Sequence, residues 1–156
     1  LKGYADGTFK PNSHLTRVQA TSILVRALQL KNVGDAPFTD IGTYNKETKA
    51  ELAAAYEAGL LIAKSGKFSP SATISREELA VMLAREKKKK KGEPYVAKSN
   101  APFKDIAKLP TESRQAITFL YDFEIAQGSN GAFSPTGTTT RAHAAKLFVN
   151  FLNVVE

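Results

Sequence analysis

Leu52, Ala55, Tyr56 and Leu60 stand three and four residues apart, and Ile117, Leu120, Tyr121 and Ile125 repeat that spacing 65 residues later. This is the period of one face of an α-helix. Three further apolar stripes have the same period: Ala20, Leu24, Val25 and Leu28; Leu79, Leu83 and Ala84; Ala144, Phe148, Val149 and Leu152. Each of these follows a start signal, Thr16, Ser75 or Thr140, whose hydroxyl can accept a hydrogen bond from a helix N–H. Gln19 and Glu78 complete a capping box in the first two, and His143 breaks it in the third. Gly59 suits the left-handed end of its helix, and Glu124 at the matching place predicts a different ending there.

The landmarks around these helices recur in fixed register. Phe9-Lys10-Pro11 precedes Thr16-Arg17, Phe68-Ser69-Pro70 precedes Ser75-Arg76, and Phe133-Ser134-Pro135 precedes Thr140-Arg141, with Phe and Arg eight residues apart each time. Upstream, Phe38-Thr39-Asp40 and Phe103-Lys104-Asp105 each lie 38 residues before the corresponding Arg. The chain therefore reads as three helix-loop-helix repeats, 1–31 without its first half, 38–91 and 103–156, together making one domain. A helix pair cannot bury its apolar stripe alone, so the copies must pack on one another. The expected fold is all-α, with the repeats in a pseudo-threefold arrangement around a central three-helix bundle. Lys31 to Pro37 and Lys87 to Pro102 carry Gly, Pro and charge and are expected as surface links.

Composition changes this picture little. With 42% hydrophobic and 24% charged residues the 156-residue chain is ordinary for a globular domain. The absence of cysteine excludes disulfides and thiolate metal sites. No apolar run reaches the roughly 18 residues of a membrane span, and Leu1-Lys2-Gly3-Tyr4 lacks a signal-peptide pattern, so any export signal is expected to have been removed or to lie outside this sequence. The net charge of +7 raises nucleic-acid binding, but five of those charges form one run, Lys87 to Lys91, read as a solvated linker beginning at a helix end. That distribution does not suggest a basic groove, and no nucleic-acid partner is expected.

The recurring arginine is the strongest chemical signal. A cation in the first turn of a helix costs roughly 0.3–1 kcal/mol unless something offsets it, yet Arg17, Arg76 and Arg141 all stand there. A guanidinium beside free helix N–H groups would suit a carboxylate or phosphate. Alternatively each Arg pairs with a local acid, such as the Asp of the Phe-x-Asp element, and braces one copy against the next. Asp40 and Asp105 fit as caps, as braces or as acceptors for a glycan hydroxyl. Gly3, Tyr4, Asp6 and Gly7 offer close backbone approach, an aromatic face and a carboxylate to a sugar, although a tight turn explains the glycines equally. No catalytic, metal or cofactor motif is present; His14 and His143 occupy unrelated positions in their copies, and Glu77-Glu78 suit a helix first turn for stability alone.

Gly3-Tyr4-Ala5-Asp6-Gly7-Thr8-Phe9-Lys10-Pro11 followed by Thr16-Arg17 resembles the signature of S-layer homology domains. Phe38-x-Asp40 and Phe103-x-Asp105 resemble that family's opening motif, and Thr16-Arg17-Val18-Gln19, Ser75-Arg76-Glu77-Glu78 and Thr140-Arg141-Ala142-His143 its Thr-Arg-Ala-Glu box. The resemblance implies a non-covalent anchor of an exported protein, at the cell wall and S-layer of a Gram-positive bacterium, monomeric as an isolated domain and not an enzyme. Its implied partner is a secondary cell-wall polysaccharide carrying pyruvylated N-acetylmannosamine, held in grooves between repeats. Arg17, Arg76 and Arg141 would meet the ketal carboxylate, Gly3, Gly7, Gly66, Gly128 and Gly131 would lend backbone, and Tyr4 and Asp6 would line a groove. Copies two and three lack the loop tyrosine, so three repeats need not mean three equal sites. A protein-protein interaction module and a wall hydrolase are the alternatives.

Overall fold

A computed structural model of the chain describes residues 7–8, 10–31, 34–61, 66–93 and 95–155. Those residues form five α-helices and no strand: α1 (Arg17–Ala27), α2 (Lys46–Glu57), α3 (Arg76–Lys91), α4 (Thr111–Asp122) and α5 (Arg141–Val155). The chain divides into two compact units, Thr16–Ile74 and the combination of Leu1–Leu15 with Ser75–Glu156. Neither unit coincides with a sequence repeat. The reason is which helices pack: α1 pairs with α2 and α3 with α4, so the last helix of one repeat buries its stripe on the first helix of the next.

In the unit Thr16–Ile74, Leu24 and Val25 of α1 and Leu52 and Ala55 of α2 are buried. Glu51, 8% exposed, crosses between the two helices, accepting from Arg26 Nε at 2.6 Å and from Ser22 Oγ at 3.0 Å. In the other unit Leu79 and Leu83 of α3, Ile117, Phe119 and Leu120 of α4, and Ala144, Phe148 and Phe151 of α5 are buried. Arg85 and Glu112 pair at 2.6 Å, joining α3 to α4.

The start signals act as the sequence indicates. Thr16 with Gln19 and Ser75 with Glu78 form complete capping boxes, while Thr140 Oγ1 accepts from the His143 N–H at 3.2 Å without one. Two details differ from the pattern. Val149 is 57% exposed and Tyr56 38% exposed, because the buried face of α5 runs through Leu147, Phe148 and Phe151 and that of α2 turns one residue away. The ends of α2 and α4 also agree: Glu124 takes the left-handed conformation of Gly59, with φ 58° against 79°. Leu60 N–H then reaches Ala55 O, and Ile125 N–H reaches Leu120 O, the same closing bond.

The segment Lys87 to Pro102 departs most from expectation. The lysine run is not a linker; α3 continues through Lys91 and stops at Gly92, whose φ of 83° closes it. Beyond it, the chain folds back over α4 instead of running free on the surface. The Tyr95 ring packs 5.7 Å from Phe119 and 5.5 Å from Phe123, and its hydroxyl donates to Asp122. Ala97 N–H donates to Gln115 Oε1 at 2.9 Å, and Ala101 N–H to the buried Thr118 hydroxyl at 3.0 Å. Among the described residues no helix is long and apolar enough to cross a membrane.

The hydrogen bond to Asp122, then burial, then the Asp122 charge push the Tyr95 phenol up to about 12. A raised folded-state value stabilises fully below the ordinary tyrosine pKa of about 10 and is lost as pH rises through the folded one. The wild-type chain is therefore expected to lose stability between pH 10 and about 12 more steeply than Tyr95→Phe, measured by urea denaturation across that window.

Candidate functional site

The first N–H groups of a helix have no partner within it. In α1, α3 and α5 the loop of another repeat supplies acceptors. Arg17 N–H reaches Ala72 O at 2.8 Å and Val18 N–H reaches Pro70 O at 3.1 Å. Arg76 N–H reaches Gly137 O and Glu77 N–H reaches Pro135 O, both at 2.9 Å. Arg141 N–H reaches Ser13 O at 2.8 Å and Ala142 N–H reaches Pro11 O at 3.1 Å. The next N–H goes to the hydroxyl of Thr16, Ser75 or Thr140. The expectation of unclaimed N–H groups beside the guanidinium is thus corrected: the neighbouring loop occupies them, and any anion there must be held by side chains.

The arginine side chain completes the grip. Arg17 Nε donates to Phe68 O at 2.9 Å and Arg76 Nε to Phe133 O at 2.8 Å. Their guanidinium carbons lie 5.1 Å and 5.0 Å from the centroids of the same phenylalanine rings, within cation–π range. Both rings are 2% exposed and pack on Phe38 and Phe103, at 5.1 Å and 5.6 Å. The Phe-x-Pro element therefore offers a ring to the core and a carbonyl to the arginine.

Presenting that carbonyl requires a strained residue. Lys10, Ser69 and Ser134, the middle residues of the three Phe-x-Pro elements, all have positive φ, at 52°, 58° and 60°. A left-handed conformation costs roughly 1–2 kcal/mol at a non-glycine residue. Asp40 offsets this in one loop, accepting from Phe68 N–H at 2.9 Å and Ser69 N–H at 2.8 Å. Asp105 does the same for Phe133 N–H at 3.0 Å and Ser134 N–H at 2.8 Å. Of the roles open to them, both aspartates brace a loop 28 and 29 residues away. The Phe68 N–H holds the Asp40 carboxyl below the usual range against a smaller effect of burial. At Asp105 burial pushes upward, and the N–H groups of Phe133, Ser134 and Asp105 itself, with the Lys104 charge, outweigh it.

The three arginines are unequal. Arg17 and Arg76 are half-buried, and Arg141 is 4% exposed. Burial lowers the pKa of Arg76 and nearby Asp105 opposes that shift, leaving it cationic throughout the physiological range. Its Nε is anchored, and among the described residues its terminal Nη groups make no hydrogen bond. Arg76 opens on a narrow recess lined by Leu79, Leu120, Ala126, Phe133, Thr139 and Leu147. The Thr139 hydroxyl, on a residue 1% exposed, has no hydrogen-bond partner among the described residues. Burial and the adjacent Arg76 charge lower the pKa of His143, so its ring adds no positive charge at neutral pH.

The glycines prove to shape the loops. Gly66 and Gly131, at φ 71° and 75°, turn their carbonyls to the N–H groups of Thr39 and Lys104, at 2.8 Å and 3.0 Å. A Cβ at Gly128 would come within 2.5 Å of the Phe103 ring, so that glycine admits the ring to the core. Gly7 has φ 83°; Gly3, Tyr4 and Asp6 lie outside the described residues. His14 meets Thr138 Oγ1 through its Nδ1, at the joint between the first loop and the start of α5. The loop carbonyls of Pro11, Ser13, Pro70, Ala72, Pro135 and Gly137 escape a reading of side chains. Their signal was the constant eight-residue spacing, which one capping hydroxyl per helix leaves unexplained.

A family model of the S-layer homology domain matches residues 1–21, 37–80 and 102–145. The chain is 31% identical over 155 residues to an endoglucanase of Bacillus sp. strain KSM-635, a match covering 97% of this chain and 16% of that enzyme. It is 27% identical over 156 residues to an amylopullulanase of Thermoanaerobacterium thermosulfurigenes, covering 97% of the chain and 8% of the enzyme. It is 28% identical over 149 residues to the S-layer protein sap of Bacillus anthracis, covering 94% of the chain and 18% of that protein. The chain thus spans less than a fifth of each of these relatives, and the likeness to the two enzymes is confined to that share.

Replacing Asp105 with Ala leaves two N–H donors unmatched beside a strained residue. The expected loss is about 2–3 kcal/mol in urea denaturation, with Asp105→Asn losing less. Because the folded pKa values of Asp40 and Asp105 are depressed, their contribution is complete above about pH 3.9 and disappears as pH falls through the folded values. In Asp105→Ala the same acid titration should cost correspondingly less.

Proposed function

Because the chain belongs to the S-layer homology domain family, we propose that it is a non-catalytic module that holds a larger exported protein at the bacterial cell wall by binding a pyruvylated secondary wall polysaccharide. Family membership and the likeness to an S-layer protein support the attachment to the cell surface. The observation that carries the carboxylate reading is Arg76: a half-buried guanidinium, fixed by Nε on Phe133 O and by the ring beneath it, with both Nη groups without a hydrogen bond among the described residues. A cation held in one orientation loses little freedom when it meets a planar anion. The ketal carboxylate of pyruvylated N-acetylmannosamine supplies such an anion. Arg17 repeats the Nε bond and the ring contact at Phe68, whereas Arg141, at 4% exposure, serves the brace more than the ligand. The loops at Gly7, Gly66, Gly128 and Gly131, with Asp40 and Asp105 behind the latter three, set the walls the sugar meets. Two or more grooves engaging one polymer would retain it well beyond single-site affinity.

Calorimetric titration of the chain with the wall polysaccharide, before and after chemical removal of pyruvyl groups, tests this reading. Affinity is expected to fall on removal, and Arg76→Ala to lose about 10-fold or more against the intact polymer while keeping its helical circular dichroism. Arg76→Lys should recover only part, since an ammonium cannot reproduce the fork. Equal affinity for both polymers would sink the carboxylate reading.

A further inference from the structure

The last turns of α3 do something the fold does not ask of them. Lys88, Lys89, Lys90 and Lys91 are all exposed. Successive helical residues are about 100° apart, so the four exposed lysines cover most of the circumference of this end of α3. Nowhere among the described residues does a carboxylate pair with any of these four ammonium groups. The other repeats show that the position needs no lysine. At the same place α1 has already ended at Ala27, and α5 carries Leu152 to Val155, with Val155 buried at 1% exposure. Lys88 to Lys91 fall in the last turn, where the dipole favours cations, and Glu86 attracts Lys89 and Lys90, while the lysines repel one another at i,i+3 and i,i+4.

The base of this projection joins an aromatic surface. Lys87 Nζ lies 5.4 Å from the Tyr95 centroid, and Tyr95 meets Phe123 edge-on at 5.5 Å. Phe123 is 42% exposed and flanked by the exposed acids Asp122 and Glu124. An exposed ring suits the C–H face of a sugar, and the exposed Glu124 carboxylate beside it can accept a sugar hydroxyl. We propose that the lysine projection of α3, with Phe123 beside it, is a second contact for an acidic polysaccharide, the lysines meeting carboxylates spaced along the chain and the ring meeting one sugar. This contact is separate from the arginine brace and would act as an electrostatic guide along the same kind of polymer.

The test uses the full chain and polygalacturonate, a carboxylate-bearing glycan without pyruvyl groups. At low salt the parent is expected to bind it and not neutral dextran, with affinity falling as salt rises. Replacing Lys87 to Lys91 together by Gln should weaken binding about 10-fold or more and flatten the salt dependence, while replacing all five by Arg should retain it. Phe123→Ala should weaken binding about 3-fold without changing the salt dependence. Circular dichroism of each variant confirms the helices. The proposal is overturned if the Gln variant binds like the parent, if Phe123→Ala and the parent are indistinguishable, or if duplex DNA or anionic phosphatidylglycerol vesicles bind more tightly than the glycan. Since polygalacturonate has no ketal, a null result here leaves the Arg76 reading standing, and equal binding to pyruvylated and depyruvylated wall polymer leaves this one standing.

Discussion

A helix cannot satisfy its own first N–H groups, and in this chain that deficit is met between repeats. Pro70 and Ala72 of the second repeat receive the first two N–H groups of α1, Pro135 and Gly137 of the third receive those of α3, and Pro11 and Ser13 of the first receive those of α5. Each helix start is thereby fixed to a loop that its own repeat does not contain. The Phe-x-Pro geometry, the left-handed residue within it and the aspartate that braces it all serve to aim carbonyls at those donors.

The arginine that follows each cap belongs to the same arrangement, which resolves the apparent choice between brace and site. In Arg76 the brace uses Nε and one face of the guanidinium plane. The terminal nitrogens are not needed for it. A side chain used in this way is structural and pre-organised for an anion at once, and its two roles are separable by the Lys substitution, which keeps charge but not shape. The position is not equivalent in every copy, since Arg141 is almost fully buried.

Much of this was legible in the sequence. The apolar periods located all five helices, the hydroxyl before each arginine marked three starts, and the register of Phe, Pro and Arg exposed the repetition. What escaped depends on partners distant in sequence. Asp40 lies 28 residues from the N–H it holds, and backbone carbonyls leave no side-chain signature. That the copies pack on one another follows from their stripes, but which helices pair, α1 with α2 and α3 with α4 across repeat boundaries, does not. The lysine run reads as a linker because its charge suggests solvent, and the high helix propensity of lysine lets the same exposed residues extend α3 to Lys91. Glu124 shows the reverse case: a residue type that argues against a left-handed ending adopts one because the Ile125 to Leu120 bond closes over it.

Amide hydrogen exchange, read residue by residue by NMR, addresses the inter-repeat grip most directly. The N–H groups of Arg17, Val18, Arg76, Glu77, Arg141 and Ala142 occupy positions that in an isolated helix exchange freely. With loop carbonyls as partners they are expected to be protected to the level of interior helix amides such as Leu83 and Phe148. Exchange at the rate of unprotected helix ends at these six positions would contradict the grip on which the loops, the arginines and the proposed site depend.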